Sequence, residues 1–541
     1  MAVPPGVSTR DWETALRQFR QAVGESWVFT SDDDIALYRD AYSPLWGEPE
    51  ERLVSAALAP DTTEQVSAVV RTANQFRIPV FPISTGKNLG YGGSAPNLSG
   101  SVVIDLKRMN RVVEVDDTRH FAIVEPGVAY FDLYRHIQER RLNVWIDCPD
   151  PGWGSPVGNS LDHGVGYTFG AYRDHFHSHC GLEAVLPNGD IVRTGMGALP
   201  GAKTWAEYRY GFGPTVDGLF AQGNLGIVTK MGFHLLPAPE AYQTSIVTVP
   251  RRRDIVPLVD LINELEHQAL VGMPEYFSPL GGFGRPGPPP QEFVALMQRP
   301  GGPTDEEFDR YAQQRNAGAW SCRLQFYGSP KVVAAHLEHA KDRFAAVVAG
   351  STFQDGELLR FPLNAEQLDR VHKVAVGIPN MSIFSIGART ELNPSPSDGH
   401  LWFSPIIPKS GEAVLEAQRV FMDAFAKLGM PSMVSPFTMP ATWMHRAFIF
   451  IMAFPISRSN VAQNQRTRTV FRELVKVAAE HGWGEYRTAP VFQDDVMAAY
   501  SFNNHSLLRL HEAIKDAVDP NGIVAAGRSG IWPRHLRRTR A

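Results

Sequence analysis

Residues 82–96 read PISTGKNLGYGGSAP. An apolar run, IPVFPI (78–83), enters this stretch as a strand, and the loop behind it carries Gly86, Gly90, Gly92 and Gly93. Residues without side chains let backbone N–H groups close around a phosphate. They also serve a sharp structural turn, and the loop fits neither G-x-G-x-x-G nor the Walker A pattern. Its surroundings say more. Upstream, LVSAALAP (53–60) reads as a strand, and Asp61 is placed to cap the helix that follows, with Glu64 as its capping-box partner. Val66, Val69, Val70 and Ala73 keep the spacing of one buried helical face. Strand, helix, strand and glycine loop make a β-α-β unit. Downstream, SVVIDL (101–106), RVVEV (111–115) and FAIVEPG (121–127) read as short strands and 131–141 as a helix. Such density of mixed elements means an α+β or α/β domain.

Composition sets the outer bounds. At roughly 100–200 residues per domain, 541 residues suggest two to four domains. An apolar share of 43% with 20% charged residues excludes a disordered or fibrous chain. The net charge of −5 supplies no field for nucleic acid or an anionic membrane, so neither is expected as a partner. The longest apolar run, Ala447–Phe454, is far short of the roughly 20 residues of a membrane helix. The start, MAVPPGVSTRDW, has no signal-peptide pattern, and three cysteines (Cys148, Cys180, Cys322) fit a reducing compartment. A cytoplasmic location is the expectation. The 47 glycines and 41 prolines exceed the average share and imply many turns.

Farther along, Trp12–Val23 is helical. Ile255, Leu258, Val259, Ile262 and Leu265 keep helical spacing, as does Val414–Leu428, which begins after Ser410 and stops at Gly429. Residues 277–303 are Pro/Gly-rich and read as a long loop or a link inside a second domain. No repeat of 20–50 residues is visible. His175, His177 and His179 alternate, so on a strand they would share one face. Their chemistry would suit zinc, but a polar face is the preferred reading and no metal is expected. Arg251–Arg253 reads as a solvated basic run.

Seven separated segments carry a resemblance. They are PISTGKNLGYGGSAP (82–96), DCPDPGWGSPVGNSLDHGVGYT (147–168), LPNGDIVRTGMGALPG (186–201), YGFGPTVDGLFAQGNLGIVTKMGF (210–233), GHLWFSP (399–405), GWGEYRT (482–488) and DPNGIVAAGRSGIWP (519–533). In order and spacing the chain resembles the vanillyl-alcohol oxidase / eugenol oxidase family, the 4-phenol-oxidising FAD flavoproteins. The resemblance implies an α+β, two-domain FAD-binding fold with a substrate cap domain. Residues 1–240 and 485–541 would form the FAD-binding domain and 241–484 the cap. Pro82, Ser84, Thr85, Gly86, Lys87, Asn88, Leu89 and Gly90 would hold the FAD pyrophosphate. Ser155, Gly158, Asn159, Gly164, Gly166 and Tyr167 would line a second FAD-binding stretch, with Gly226, Ile227 and the basic Arg528 also at the cofactor. His400 matches the histidine linked covalently to the flavin in the family's oxidases.

The resemblance also assigns chemistry. Tyr91, Tyr486 and Arg487 match the residues that hold the substrate's phenol oxygen. A phenol with a pKa near 10 is mostly protonated at neutral pH. Two hydroxyls and a guanidinium would stabilise the phenolate, which helps expel hydride from the para α-carbon and leaves a quinone methide. Asp150 matches an acid near the flavin that can take a proton from water. His445 matches a further active-site histidine, and Pro436 a position shaping the substrate pocket. Three departures stand out: no histidine precedes His120, where family oxidases have one that aids flavin attachment; Arg446 stands where a second histidine is usual; and F-G-A-Y-R-D-H after GVGYT is two residues longer than the family's run. The expected activity is oxidation of 4-alkylphenols, 4-hydroxybenzylic alcohols or allylphenols, with O2 reduced to hydrogen peroxide, by a homodimer or multiple of dimers. The alternatives are a cytochrome-coupled dehydrogenase subunit, whose family members attach flavin through a tyrosine, and a flavin-binding protein without catalysis.

Overall fold

The structure, a computed structural model, describes residues 3–278, 280, 291–297, 302–382, 399–430, 442 and 444–537. Pro436 lies outside the described residues. The fold is mixed α+β. A first sheet has four strands in the order Val28–Phe29, Ala56–Leu58, Val102–Asp105, Val80–Ile83. The last three run parallel, Ala56 and Val80 both standing in register with Val102. Val102–Asp105 is therefore buried on both faces, and its residues are apolar up to Asp105. The helix Thr63–Phe76 crosses between the outer two, with Val66, Val69, Val70 and Ala73 fully buried as their spacing requires. Its cap differs from the expected one. Thr62, in extended conformation, accepts the Gln65 N–H at 3.2 Å, and the Gln65 side chain accepts the Asp61 N–H at 2.7 Å. The pair that satisfies the helix's first amides is thus one residue farther on than Asp61 and Glu64.

The chain's far end returns to this sheet. Val80 N–H donates to Ile523 O at 2.7 Å and Ala525 N–H to Val80 O at 2.8 Å, on the open side of the strand that leads into the glycine loop. The amphipathic helix Thr9–Val23 covers the same core with Trp12, Leu16, Phe19 and Val23. Each such side chain removed from water contributes about 1.5–3 kcal/mol.

A second, antiparallel sheet runs Val112–Asp116, Phe121–Val124, Ile227–His234, His179–Val185, Ile191–Arg193. A third is built on the nine paired positions of Ala241–Val249 and Trp320–Gly328, flanked by Glu275–Phe277 and Thr352–Asp355. Helices Ile255–His267, Pro330–Val347 and Gly411–Lys427 share its apolar core, which continues into Phe403, Phe454 and Phe471. Two short ladders join there: His400–Phe403 with Met452–Pro455, and Ile406–Pro408 with Ala447–Ile449.

Three expectations are corrected. Gln291–Met297, inside the Pro/Gly-rich tract, is helical; its QEFVALM sequence has no helix breaker. His175–Ser178 is a helical turn rather than a strand, because Asp174 caps it by accepting the His177 N–H at 3.0 Å. The three histidines consequently diverge, His175 toward Asp147 and Asn159, His177 toward Arg209, His179 toward Asp217. The basic run is not simply solvated: Arg252 is mostly buried and pairs with Asp305, while Arg253 pairs with Glu412. All three cysteines are buried and free. Among the described residues no helix is long and apolar enough to cross a membrane.

Candidate active site

A cavity opens where the glycine loop, the 149–167 segment and His400 meet. Pro82, Ser84, Thr85, Gly86, Lys87, Asn88, Leu89 and Tyr91 line it from the loop. Asp150, Ser155, Gly158, Asn159 and Tyr167 line it from the next segment, and Gly226, His400, Arg487 and Arg528 from distant parts of the chain. Gly90 is buried against the strand that carries His400 and Trp402. Its φ is +83°, and a Cβ there would stand 2.6 Å from Trp402 and 3.1 Å from the His400 ring, so glycine lets the His400 strand close on the loop. Gly164 and Gly166 pack on neighbours: a Cβ on either would enter the Asn159 side chain or the Asp147 carboxylate. Ile227 lies buried in the core beneath the first sheet.

On one part of the cavity wall stands a group of polar side chains. Tyr91 is 4% exposed, and its hydroxyl lies 3.1 Å from the Ser404 hydroxyl. The Arg487 guanidinium sits 4.0 Å above the Tyr91 ring and 5.3 Å from the Tyr486 ring. Burial pushes both tyrosines above their ordinary range, and Arg487 works against that rise. The neighbours of Arg487 also hold its own charge on. Asp150 also lines the cavity, its carboxylate accepting the Ser382 hydroxyl.

Asp162, which sequence reasoning did not single out, joins the parts. Its carboxylate accepts from Asn88 Nδ2 at 2.6 Å, Arg487 Nη1 at 3.1 Å and Arg528 Nη2 at 2.7 Å. It was visible only as the one acid in the LDHG stretch of a glycine-rich segment. Two guanidinium groups share this carboxylate, so the group keeps a net positive charge that favours an anion in the cavity.

His400 is nearly buried between Tyr42, ring centroids 4.9 Å apart, and Trp402, 4.4 Å apart. Burial lowers it to about 4, so its imidazole is neutral at neutral pH. Tyr42 and Trp402 are further cavity residues that sequence reasoning missed. His445 stands elsewhere. Its ring packs on Gly170, and its Nε2 lies 3.4 Å from Glu266 O, beside a buried cluster in which Arg173 and Lys409 share the Glu266 carboxylate.

The walls suit a flavin dinucleotide on two counts. Small residues leave backbone open along one side, and His400 Nδ1, Arg487 Nε and Arg528 Nε are buried with no partner among the described residues. Such atoms call for a polar ligand.

Comparison with known proteins agrees. Residues 54–195 match an FAD binding domain. The chain is 33% identical to the 4-cresol dehydrogenase [hydroxylating] flavoprotein subunit of Pseudomonas putida, over 98% of this chain and 97% of that protein. It is 28% identical to 1'-carboxy-chondrochloren decarboxylase of Chondromyces crocatus, over 97% and 99% of the two chains. Among solved structures, 4-ethylphenol oxidase from Gulosibacter chungangensis in its isoeugenol complex superimposes with a TM-score of 0.80 at 32% identity, covering 99% of this chain and all of the other. p-Cresol methylhydroxylase with substrate bound gives 0.80 at 31%, over 98% and 99%. With glycine cradle, orphaned donors and full-length similarity in agreement, the chain belongs to the vanillyl-alcohol oxidase / p-cresol methylhydroxylase family of FAD-dependent oxidoreductases.

Proposed function

We propose that the protein oxidises para-substituted phenols (4-alkylphenols, 4-hydroxybenzylic alcohols, allylphenols) at the α-carbon, with oxygen as the electron acceptor. The observation that carries this reading is that Tyr91, Arg487 and Asp150 all line one cavity, with the Arg487 guanidinium over the Tyr91 ring. FAD, when bound, supplies the hydride acceptor. The protein's own residues do the rest. Arg487, with Tyr91 and Tyr486, stabilises the phenolate and lowers the phenol's pKa. The electron-rich phenolate weakens the C–H bond of the para α-carbon, which would lose hydride to the acceptor and leave a quinone methide. Asp150 takes the proton of the water that adds to it, giving an alcohol. Where no water adds, loss of a proton gives an alkene, and benzylic alcohols go on to aldehydes.

His400 is the residue to which FAD would be joined. Its neutral imidazole is the nucleophilic form, and the orphaned Nδ1 is consistent with a bond made there. Arg528, Gly86 and Gly158 would hold the cofactor, and Pro436 would shape the substrate pocket. The chain would divide into an FAD-binding domain (1–240 and 485–541) and a cap (241–484), and would act as a cytoplasmic homodimer or multiple of dimers. A peroxide assay over vanillyl alcohol, eugenol and 4-ethylphenol tests the reading; no turnover across the panel refutes it. Acid-precipitated protein that stays yellow reports the covalent link.

A second reading has specific support in the similarity to the Pseudomonas putida dehydrogenase subunit: electrons would pass to a cytochrome instead of oxygen. Stopped-flow reoxidation of the reduced enzyme in air decides between them. Fast reoxidation supports the oxidase, and reduced flavin that persists in oxygen supports the dehydrogenase.

A further inference from the structure

A buried carboxyl group with no part in the reaction above stands directly behind Tyr91. Glu485 is 5% exposed. Its Oε1 accepts the backbone N–H of Ser404 at 2.6 Å, and its Oε2 is buried with no partner among the described residues. The Ser404 hydroxyl is in turn the neighbour of the Tyr91 hydroxyl at 3.1 Å, and Ser404 is itself fully buried. Backbone bonds fix the same unit. Ile406 N–H donates to Gly484 O at 2.9 Å, and the Tyr500 hydroxyl donates to Glu485 O at 2.8 Å. Glu485, Ser404 and Tyr91 thus form one chain of contacts drawn from three separate parts of the sequence.

The groups that face Glu485 do not offer it a counter-charge. Tyr91 comes from the glycine loop and Tyr500 from the segment after the helix Gln493–Ala499. Ser404 comes from the turn between two short strands. Tyr486 and Arg487 follow on its own segment, and Arg487 is committed to Asp162 and to the face of Tyr91. A carboxylate here would have one N–H donor and one bare oxygen away from water, which is strongly unfavourable. Burial accordingly pushes Glu485 well above the usual carboxylate range, and the Ser404 N–H offsets only part of the rise. Ionised, it would set a second negative charge beside a bound phenolate and would make Tyr91 harder to ionise.

We propose that Glu485 is a positioning residue held as the neutral acid: through Ser404 it fixes the Tyr91 hydroxyl, and its ionisation sets the alkaline limit of phenolate binding. The proposal rests on the phenol-oxidising reading and deepens it.

The probe is 4-nitrophenol, a para-substituted phenol that colours when ionised, titrated into the holoenzyme across pH by difference absorbance. Wild type binds the phenolate at neutral pH and loses affinity at alkaline pH, where the ligand itself no longer changes. Glu485→Gln keeps the acceptor for Ser404 and cannot ionise, so it binds like wild type at neutral pH and lacks the alkaline loss. Ser404→Ala weakens binding about tenfold at every pH, one hydrogen bond's worth, and keeps the alkaline loss. An alkaline loss that survives in Glu485→Gln overturns the proposal, as does weak neutral-pH binding by that variant. Thermal unfolding of both holoenzymes against pH is an independent test. A carboxyl whose pKa is raised by folding makes wild type less stable as pH climbs toward that pKa, and Glu485→Gln escapes the decline. Parallel curves refute the neutral-acid role. Should wild type fail to bind 4-nitrophenol as the anion, the phenol reading falls, while the unfolding curves still test Glu485.

Discussion

Two parts of the cavity wall are made of different materials. Around Ser84–Gly86 and Ser155–Gly158 the wall is backbone, glycine and short side chains. Around Asp162 it is a set of charges at positions 162, 487 and 528 with the Asn88 amide. The first part is shaped by what its residues lack, the second by what they carry. It follows that one is disabled by adding a carbon and the other by removing a charge, and that a carbon added at Gly158 and the charge removed at Arg487 separate cofactor binding from substrate chemistry.

The largest effect is expected at the backbone-built part. A Cβ on Gly158 would lie 2.1 Å from Ser84 Oγ and 3.1 Å from Ser84 Cβ. Either Ser84 or the helix Pro156–Leu161 must shift, and both line the cavity. Gly158→Ala is expected to fold but to lose most of its flavin, read as the ratio of flavin to protein absorbance. Adding Ser84→Ala removes the nearer clash and should recover much of the flavin. Full flavin in the single variant would break the contrast between the two parts.

At the charged part, Arg487→Met should leave flavin content unchanged, because Asp162 retains Asn88 and Arg528. It removes the guanidinium over Tyr91, and kcat/KM for a para-substituted phenol should fall on the order of a hundredfold, the scale of losing one charge-stabilising group. Steady-state kinetics check it. A variant that loses flavin along with turnover would mean that the two parts are one unit.

The backbone-built part was largely legible in the sequence and the charged part was not. Strand 78–83, the apolar helix stripe from Val66 to Ala73 and the run of glycines are local patterns, and local patterns survive into the fold. The departures from expectation were local competitions. Thr62 displaced Asp61 as a cap because its hydroxyl reached Gln65 N–H. Asp174 turned His175–Ser178 into a helix and scattered three histidines that a period of two would have aligned. The hub at Asp162 has its partners up to 366 positions away, and Glu485 reaches Tyr91 through a serine 81 positions back. No spacing encodes such contacts. The resemblance supplied Tyr91, Tyr486 and Arg487 but not the carboxyl groups that hold them.

One carboxyl crosses the division between the two parts. Asp40 sits beside the glycine loop, where a Cβ on Gly93 would stand 3.3 Å from its Oδ1, yet it is only 5% exposed. Its Oδ1 accepts the Tyr42 N–H at 3.0 Å, so it also sets the residue that packs on His400. Burial raises it to about 6, the Tyr42 N–H opposing and Glu51 adding to the rise. In an unfolded chain an aspartate titrates near 3.9. Between those values the folded chain holds the extra proton, so the contribution of Asp40 to stability is greatest in acid, falls as pH rises from about 4 to about 6, and is flat above. The loss amounts to about 3 kcal/mol. Asp40→Asn keeps an acceptor for Tyr42 and removes the ionisation. It should match wild type near pH 4, exceed it by up to about 3 kcal/mol above pH 6, and change flavin content and phenol turnover little; denaturant midpoints against pH measure the difference. If the variant gains nothing at neutral pH, Asp40 is a compensated charge, and the glycine part of the cavity wall depends on electrostatics as the other part does.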